Sequence, residues 1–441
     1  MHKLFSSVGY RLSLVIGFTL VITSLEGQTT LTLEEALTIG LKNNYQIQIL
    51  RSNELIAKNS NSAANADYLP TLGVNGAYSF TSTNTQQEFF NGETRSASAA
   101  GSRNANAALQ ANWTVFDGFR RQALRDALIL EETRTSEITR AEVLRLVEQI
   151  ELAYFQIAQQ QQLIDLTNQS IELNQAIMAL AEQKQQIGVG SQSEVLQASN
   201  QLNTDSILLI QQLGVIERQK IDLNRLIQQP LDVGFEVADS IDLETLPPQS
   251  EMIEEAQNRN PALMLAQLDQ QSTTLRIKEI KSVLYPKLDL TATYNYNFSK
   301  AEVGFLLSNR TFGPTGRATV TYDLFSGRNL KRELQNVDLL LENLQRDQQR
   351  IEWDIESQIV DLYANYQNLV DLRIAEQKNI LIAEQNSLLA NELYRQGRNT
   401  SFEVREAVLR EIQAKDRLIQ STYNLKFIEI QLKGIAGLLM P

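Results

Sequence analysis

The sequence predicts a mainly α-helical chain, built from two copies of one structural unit, that also contributes strands to a membrane β-barrel. Three observations support this fold class. Two stretches without proline are long enough for very long helices, four segments alternate between apolar and polar residues, and the two halves repeat the same landmarks at fixed spacing. Together they predict a tube of helices that continues a barrel of strands.

The composition lacks the usual parts of most enzymes. The 441 residues contain no cysteine, and the single histidine is His2, in a segment that is expected to be removed. We therefore expect no disulfide, thiol or imidazole catalysis, Cys or His metal site, or cofactor. The net charge of -12 repels nucleic acid, so no nucleic-acid partner is expected.

Residues 1–27 have the pattern of a secretory signal peptide. Lys3 and Arg11 accompany an apolar run from Leu12 to Ile22 that is too short to span a bilayer as a stable helix. We expect cleavage near Gly27. No later apolar run is long enough for a transmembrane helix, so a membrane span must be made of strands.

The chain is an internal duplication. Asn44 recurs as Asn260 after 216 positions, and Gly188 recurs as Gly397 after 209 positions. Such self-similarity means two copies of one structural unit. The predicted signal peptide, first repeat, linker or equatorial region, and second repeat cover residues 1–27, 28–230, 231–251 and 252–441.

Each half is predicted to form a very long antiparallel helical hairpin. From Leu330 to Gln396 neither proline nor glycine interrupts the sequence, and apolar residues follow the four-and-three spacing of a coiled-coil seam. Such a helix is about 100 Å long at ~1.5 Å per residue, longer than any globular core is wide. Gly188 and Gly397 end these helices in matching turns, and a second helix of about 35 to 40 residues returns in each half.

Four segments alternate as half-buried strands do. Residues 287–298 and 317–325 place apolar side chains on one face and polar side chains on the other, and residues 72–80 and 109–115 match them in the first half. Their lengths are near the ~9 to 11 residues that cross an outer membrane at a tilt. The polar face is expected to line water.

The strands are predicted to be joined by hairpin loops and edged by aromatic residues. The loops are expected at about residues 81–106 and 299–316, which are rich in Ser, Thr, Asn and Gly. The aromatic residues near the strand ends are expected to form membrane-interface girdles: Tyr78, Phe80, Trp113, Phe116, Tyr294, Phe298, Tyr322 and Phe325.

Four strands cannot close a barrel, because an open strand edge in lipid leaves backbone groups unpaired. The chain must therefore oligomerise. Two copies give eight strands, which fill their own interior with side chains, whereas three copies give twelve and begin to leave a lumen. The prediction is a homotrimer with a 12-stranded β-barrel, four strands per chain, continued by an α-helical barrel.

These landmarks resemble the TolC family of outer-membrane factors. The resemblance rests on the Leu69-Pro70 and Tyr285-Pro286 strand starts, the Phe-x-Gly strand ends, the long helices and the glycine-marked tips. It implies a passive channel in the outer membrane of a Gram-negative bacterium, surrounded by outer-membrane lipid and extending into the periplasm. It also implies a periplasmic adaptor (membrane fusion) protein and an inner-membrane pump, of RND or ABC type, for efflux or type I secretion.

The resemblance also implies functional positions. The adaptor is expected to contact the tips at Gly188, Val189, Gly190, Gly397 and Arg398, although these glycines also serve simply to end helices. The channel entrance corresponds to Tyr394, Glu403 and Glu406, where carboxylates from three copies would favour cations. The alternative for the glutamates is a solvated helix face with Arg405 and Arg410 as partners.

Two other classes of protein compete with the channel. A secreted periplasmic coiled-coil scaffold or adaptor protein explains the helices but not four amphipathic strands in matched pairs. An enzyme on a helical scaffold would have no histidine, cysteine or phosphate-binding glycine loop. The sequence therefore favours a channel that catalyses no reaction.

Overall fold

The computed structural model describes residues 29–238, 241–304 and 306–439, and the expected signal peptide lies outside them. Its elements follow the predicted alternation of short helices, strand pairs and helical hairpins in two copies. In chain order they are β1 Thr29–Leu31, α1 Leu33–Asn43, α2 Tyr45–Ser60, β2 Thr71–Glu88, β3 Thr94–Phe116, α3 Arg120–Gln186, α4 Gln192–Ile227, β4 Phe235–Val237, α5 Gln249–Arg259, α6 Pro261–Lys281, β5 Lys287–Ala301, β6 Ser308–Thr321, α7 Asn329–Arg395 and α8 Ser401–Ile435.

The structure confirms the predicted long helical hairpin in each half. Helices α3 and α7 each have 67 residues, and the returning helices α4 and α8 have 36 and 35. At ~1.5 Å per residue the long helices extend about 100 Å. Among the described residues, no helix combines the length and the apolarity that a membrane crossing requires.

The recurring asparagines have the same structural task in both halves. The Asn44 side chain caps α2 by accepting a hydrogen bond from the backbone N–H of Ile47 at 3.1 Å. The Asn260 side chain caps α6 in the same way, with the N–H of Ala262 at 2.9 Å. An asparagine at this position satisfies a helix N–H that would otherwise lack a partner.

The four long strands form one antiparallel sheet in the order β2-β3-β5-β6. The central pair, β3 with β5, joins the two repeats. Val74 lies opposite Leu109, and Leu109 lies opposite Tyr294, so the predicted apolar positions of three strands share one face. Strands β2 and β6 are the free edges of the sheet in a single chain.

The predicted strand ends were wrong. The residues assigned to loops at 81–106 and 299–316 are mostly strand, and only residues 89–93 and 302–307 connect the strands; β6 also ends at Thr321 and not at residue 325. Ser, Thr, Asn and Gly did not stop the strands because the backbone pairs with its neighbour whatever the side chains are. Beyond the membrane both faces of a hairpin meet water, so the alternation that marks a strand disappears there.

The main core lies near the middle of α3, where the β1–β4 ribbon crosses it. Tyr154 is buried, and its hydroxyl donates to the carbonyl of Leu31 at 3.1 Å and accepts from the N–H of Ala238 at 3.0 Å. Apolar side chains from α1, α3, α4, β4 and α8 surround it. This core holds the first helical hairpin against the second.

The two long helices, α3 and α7, differ in how much of their surface is buried against the rest of the same chain. Helix α3 has sixteen buried residues and α7 has five. Apolar side chains of α7 therefore remain exposed in the single chain, among them Leu339, Trp353, Ile382 and Leu388. A helix with this much bare apolar surface needs another surface to cover it.

The joint between β3 and α3 is tightly built. Gly118 has a φ of +69°, and an added Cβ would lie 2.2 Å from the carbonyl oxygen of Ser282, in the turn before β5. The rings of Phe116, Phe119 and Tyr285 stack edge to face around it, with centroids 5.4 and 5.5 Å apart. The strand end of the first repeat is thus packed against the strand start of the second.

A cluster of charged side chains lies where the linker crosses α3 and α8, with Glu429 buried at its centre and Glu244 exposed at its edge. We name Glu151, Glu244, Lys426, Glu429 and Lys433 the belt charge cluster. The Glu429 side chain is 1% exposed and lies 3.0 Å from the ammonium groups of both Lys426 and Lys433. It also accepts the backbone N–H of Glu244 at 3.2 Å. Glu429 therefore ties the linker to α8.

The environment of the belt charge cluster shifts the pKa of two members in the same direction. Burial raises the pKa of Glu151, and the attraction of Lys426 and Lys433 only partly opposes it. Burial lowers the pKa of Lys433, but hydrogen bonds to Glu244 and Glu429 outweigh burial, and the net shift is upward. Lys433 therefore stays charged at neutral pH.

Candidate functional site at the helical tips

The turn that ends α3 is a Schellman motif. Gly188 has a φ of +80° and donates its N–H to the carbonyl of Gln185 at 3.0 Å, and Val189 donates to Lys184 at 3.0 Å. Gly190 serves a different purpose, because an added Cβ there would lie 2.8 Å from the backbone nitrogen of Gln185. The two glycines of this tip are thus required by the turn itself.

The turn that ends α7 repeats the motif. Gly397 has a φ of +72° and donates to the carbonyl of Tyr394 at 3.0 Å, and Arg398 donates to Leu393 at 2.8 Å. The hydrogen bonds correspond one to one with those at Gly188. The predicted tip positions therefore occupy equivalent turns at the ends of the two hairpins.

Glu403 closes the second turn from the other side. Thr400 caps α8, and the Glu403 carboxylate accepts the Thr400 backbone N–H at 2.7 Å and its hydroxyl at 3.0 Å. The backbone hydrogen bond, followed by the hydroxyl, holds the pKa of Glu403 below its ordinary value. Glu403 is thus an ionised carboxylate that also completes a capping box.

Glu406 lies one helical turn further along α8, and its carboxylate is 2.9 Å from Arg410. This is one of the two arginines that the alternative interpretation named. The other, Arg405, donates to the side chain of Gln197 on α4 at 3.1 Å. Glu403 is exposed and Glu406 is half-buried in the single chain, and both are bonded within or near their own helix.

Tyr394 has a different environment from the glutamates. It is 4% exposed, packs with Val404 and Val408 in an apolar cluster, and has the ammonium group of Lys184 3.4 Å from its ring centroid. Its hydroxyl has no hydrogen-bond partner in the part of the chain that is described. Tyr394 therefore links the tip of the first hairpin, through Lys184, to that of the second.

A buried polar cluster between α3 and α4 was not predicted. Asp205 is 7% exposed and accepts hydrogen bonds from Ser170 at 2.7 Å, Asn174 at 2.7 Å and Gln201 at 2.9 Å. The corresponding residue of the second repeat, Ala414, is apolar and fully buried. In the sequence, the only indication of this cluster is that polar residues occupy positions in the apolar seam between α3 and α4.

No group of three or more His, Cys, Asp or Glu side chains within residues 29–238, 241–304 and 306–439 is arranged to hold a metal ion. The tips instead offer glycine turns, exposed apolar side chains and carboxylates. Such groups can form a protein contact or a charged ring.

Comparison with protein families decides which family this chain belongs to. The family described as outer membrane efflux protein matches the chain twice, at residues 37–228 and 252–438. The chain belongs to the outer membrane efflux protein family. The double match also confirms the internal duplication of this efflux protein.

Solved structures of other outer-membrane channels share its fold. CusC superposes with a TM-score of 0.76 at 17% identity over 92% of both chains. CmeC of Campylobacter jejuni gives 0.74 at 13% identity over 99% of this chain and 94% of its own. The open state of MtrE from Neisseria gonorrhoeae gives 0.71 at 16% identity over 92% and 89%. No curated protein sequence is significantly similar to this chain.

The family match confirms the predicted class of protein. This efflux protein is a TolC-like, non-enzymatic channel of the outer membrane that extends into the periplasm. TolC-family proteins form trimeric channels. The match favours this function over the periplasmic scaffold and the enzyme.

Proposed function

We propose that three copies of this chain form the exit duct of a tripartite exporter. In this arrangement a periplasmic adaptor docks on the helical tips, and an inner-membrane pump of the RND or ABC type drives cargo through a passive, water-filled channel. The supporting observation is the pair of matched turns at the far ends of the long helices. Ile187 and Val189 are 74% and 73% exposed there, and Phe402 is 62% exposed.

Exposed apolar side chains at a tip surrounded by water are suited to binding another protein. Gly188 and Gly397 set the direction of the chain at these tips, and Val189 and Arg398 follow them directly. The proposal is that Gly188, Val189, Gly190, Gly397 and Arg398 form the adaptor contact. An apolar contact framed by backbone turns would tolerate a charge poorly.

Val189→Asp is therefore expected to lower dye efflux strongly in cells that supply the partner adaptor and pump. The trimer and its conductance in a planar bilayer should stay unchanged, because Val189 lies outside the cores of the chain. Val233→Asp, at an exposed valine beyond α4, is the matched control and should keep normal efflux. Normal efflux from Val189→Asp would contradict the adaptor contact.

We further propose that Tyr394, Glu403 and Glu406 form the channel entrance. Three copies would bring six carboxylates of Glu403 and Glu406 to one opening, and such a ring attracts cations. Tyr394 and Lys184 would hold the two tips together. Docking of an adaptor would separate the helical tips that surround the entrance and would thereby widen the opening.

The double variant Glu403→Gln, Glu406→Gln is expected to reduce the cation selectivity of the isolated channel several-fold. The measurement is the reversal potential of single channels in a salt gradient across a planar bilayer. Glu251→Gln, Glu254→Gln is a matched control, because these glutamates have the same spacing on exposed positions of α5. Equal selectivity of both double variants would exclude the entrance role.

A further inference from the structure

The apolar face of the sheet ends in a row of basic residues. On β5 this face carries every second residue from Leu288 to Phe298, and the next residue on the same face is Lys300. The ten residue steps from Leu288 to Phe298 span about 33 Å along the strand at ~3.3 Å per residue. At a strand tilt of about 40° they correspond to the ~25 Å apolar band of an outer-membrane barrel. Lys300 therefore lies at the rim of the lipid-facing band.

The rim is the extracellular one. Strand β5 starts beside the helices, which extend into the periplasm, and runs toward the hairpin at residues 302–307. Arg103 lies directly opposite Lys300 on β3, and Arg310 of β6 lies opposite Phe298, one row closer to the helices. Directly opposite residues in an antiparallel pair share a face, so all three cations point outward with the apolar band.

Two of these cations lie over aromatic rings. The guanidinium carbon of Arg103 lies 5.9 Å from the ring centroid of Phe80, and that of Arg310 lies 5.9 Å from the ring centroid of Phe298. Such contacts hold a guanidinium group at the boundary between an apolar surface and water. All three basic side chains are exposed.

The arrangement is unfavourable without an outside anion. Directly opposite residues have Cβ atoms about 5 Å apart, and like charges at such positions destabilise a sheet. None of the three cations forms an ion pair with a described residue. The carboxylate nearest in sequence, Glu302, instead accepts the backbone N–H of Gly101 at 2.8 Å.

We propose that Arg103, Lys300 and Arg310 bind the phosphate groups of an anionic lipid in the outer leaflet of the membrane. Two guanidinium groups and one ammonium group match phosphate in charge and geometry. The exposed rings of Tyr296 and Phe312, a row below, would contact the acyl chains. Free phosphate would meet the same cations but leave this apolar surface uncovered, so the occupant is a lipid. A trimer would carry three such sites.

Native mass spectrometry of the detergent-purified trimer tests the proposal. A diphosphorylated acyl-glucosamine disaccharide is expected to bind about 100-fold more weakly to Arg103→Gln, Lys300→Gln, Arg310→Gln than to the parent protein, from ~1 kcal/mol per basic residue near a membrane surface. The control removes three exposed charges from α7, as Arg346→Gln, Arg350→Gln, Lys378→Gln, and should bind normally. Equal binding by the two triple variants would overturn the proposal.

The probe series identifies the source of the phosphate. Dephosphorylated disaccharide lipid and phosphatidylcholine should bind weakly and equally to the parent and variant proteins. Inorganic phosphate should not displace the phosphorylated lipid at millimolar concentration. Displacement would mean a free-anion site, and tight binding of the dephosphorylated lipid would mean an apolar groove; either result would overturn the proposal.

A single variant keeps the test valid if the triple variant does not fold. Without lipid, Lys300→Gln should unfold at a higher temperature than the parent protein, because it removes one of two facing cations. With excess phosphorylated lipid the order should reverse, because the parent protein gains more from binding. A lower unfolding temperature of Lys300→Gln under both conditions would contradict the site.

Discussion

Glu429→Gln is expected to lower the free energy of unfolding by about 3–5 kcal/mol, the usual effect of breaking a buried ion pair. The side chains of Lys426 and Lys433 are only 10% and 19% exposed, and the variant would leave them without the carboxylate they share. Lys426 would keep the carbonyl of Asp242, and Lys433 would keep Glu244. Guanidinium unfolding in detergent at pH 7 measures the loss.

Glu406→Gln is the matched control for this variant. Glu406 also pairs with a cation four residues later, Arg410, but both side chains are solvated, so the loss should be below about 1 kcal/mol. The pKa of Lys433 is raised from 10.5 in the folded chain. The contribution of charged Lys433 to the free energy of unfolding is therefore complete at pH 7, and it is lost only as the pH rises through the raised pKa. Equal losses from the two variants would contradict the argument from burial.

Gly118→Ala is expected to lower the free energy of unfolding by about 3 kcal/mol and to loosen the sheet from the helices. The φ of +69° is unfavourable for alanine, and the added methyl group would lie 2.2 Å from the carbonyl oxygen of Ser282. A backbone oxygen cannot move away as a side chain can. Thermal unfolding of the trimer, followed by circular dichroism and by its migration as a trimer, measures the loss.

Gly327→Ala is the matched control, because Gly327 is the counterpart of Gly118 in the second repeat. Its φ is +66°, but apart from its two chain neighbours no described residue has an atom within 4 Å of an added Cβ. Only the cost of the backbone conformation, about 1 kcal/mol, is then expected. A loss as large as that of Gly118→Ala would mean that a neighbouring copy approaches Gly327 as Ser282 approaches Gly118. An unchanged stability of Gly118→Ala would contradict the clash.

The helical part of the fold was predictable because its signals are local. Proline, glycine and apolar spacing fix where a long helix begins and ends, and the predicted helix from Leu330 to Gln396 is observed as Asn329–Arg395. The strand ends were not predictable in this way. Pairing between β2 and β3 continues through polar residues as far as Glu88 and Thr94, and nothing in the composition marks that continuation.

The tip glycines were equally accessible from the sequence, since a Schellman turn needs a residue with positive φ. The partner of Tyr394 was not, because Lys184 lies 210 residues earlier in the chain, on another helix. Which side chains of two packed helices meet depends on their relative rotation and register. The Asp205 cluster and the belt charge cluster escaped prediction for the same reason. The roles of Glu403 and Glu406 at the entrance remain predictions.

The uneven burial of α3 and α7 has a consequence for biogenesis. We expect a newly exported copy to carry the exposed apolar side chains of α7, such as Trp353 and Leu388, until another copy of the proposed trimer covers them. During that interval the same surface can join copies correctly or aggregate them. We therefore expect the yield of functional channel to depend on the competition between assembly and aggregation, in which the exposed apolar side chains of α7 limit how long a single copy survives.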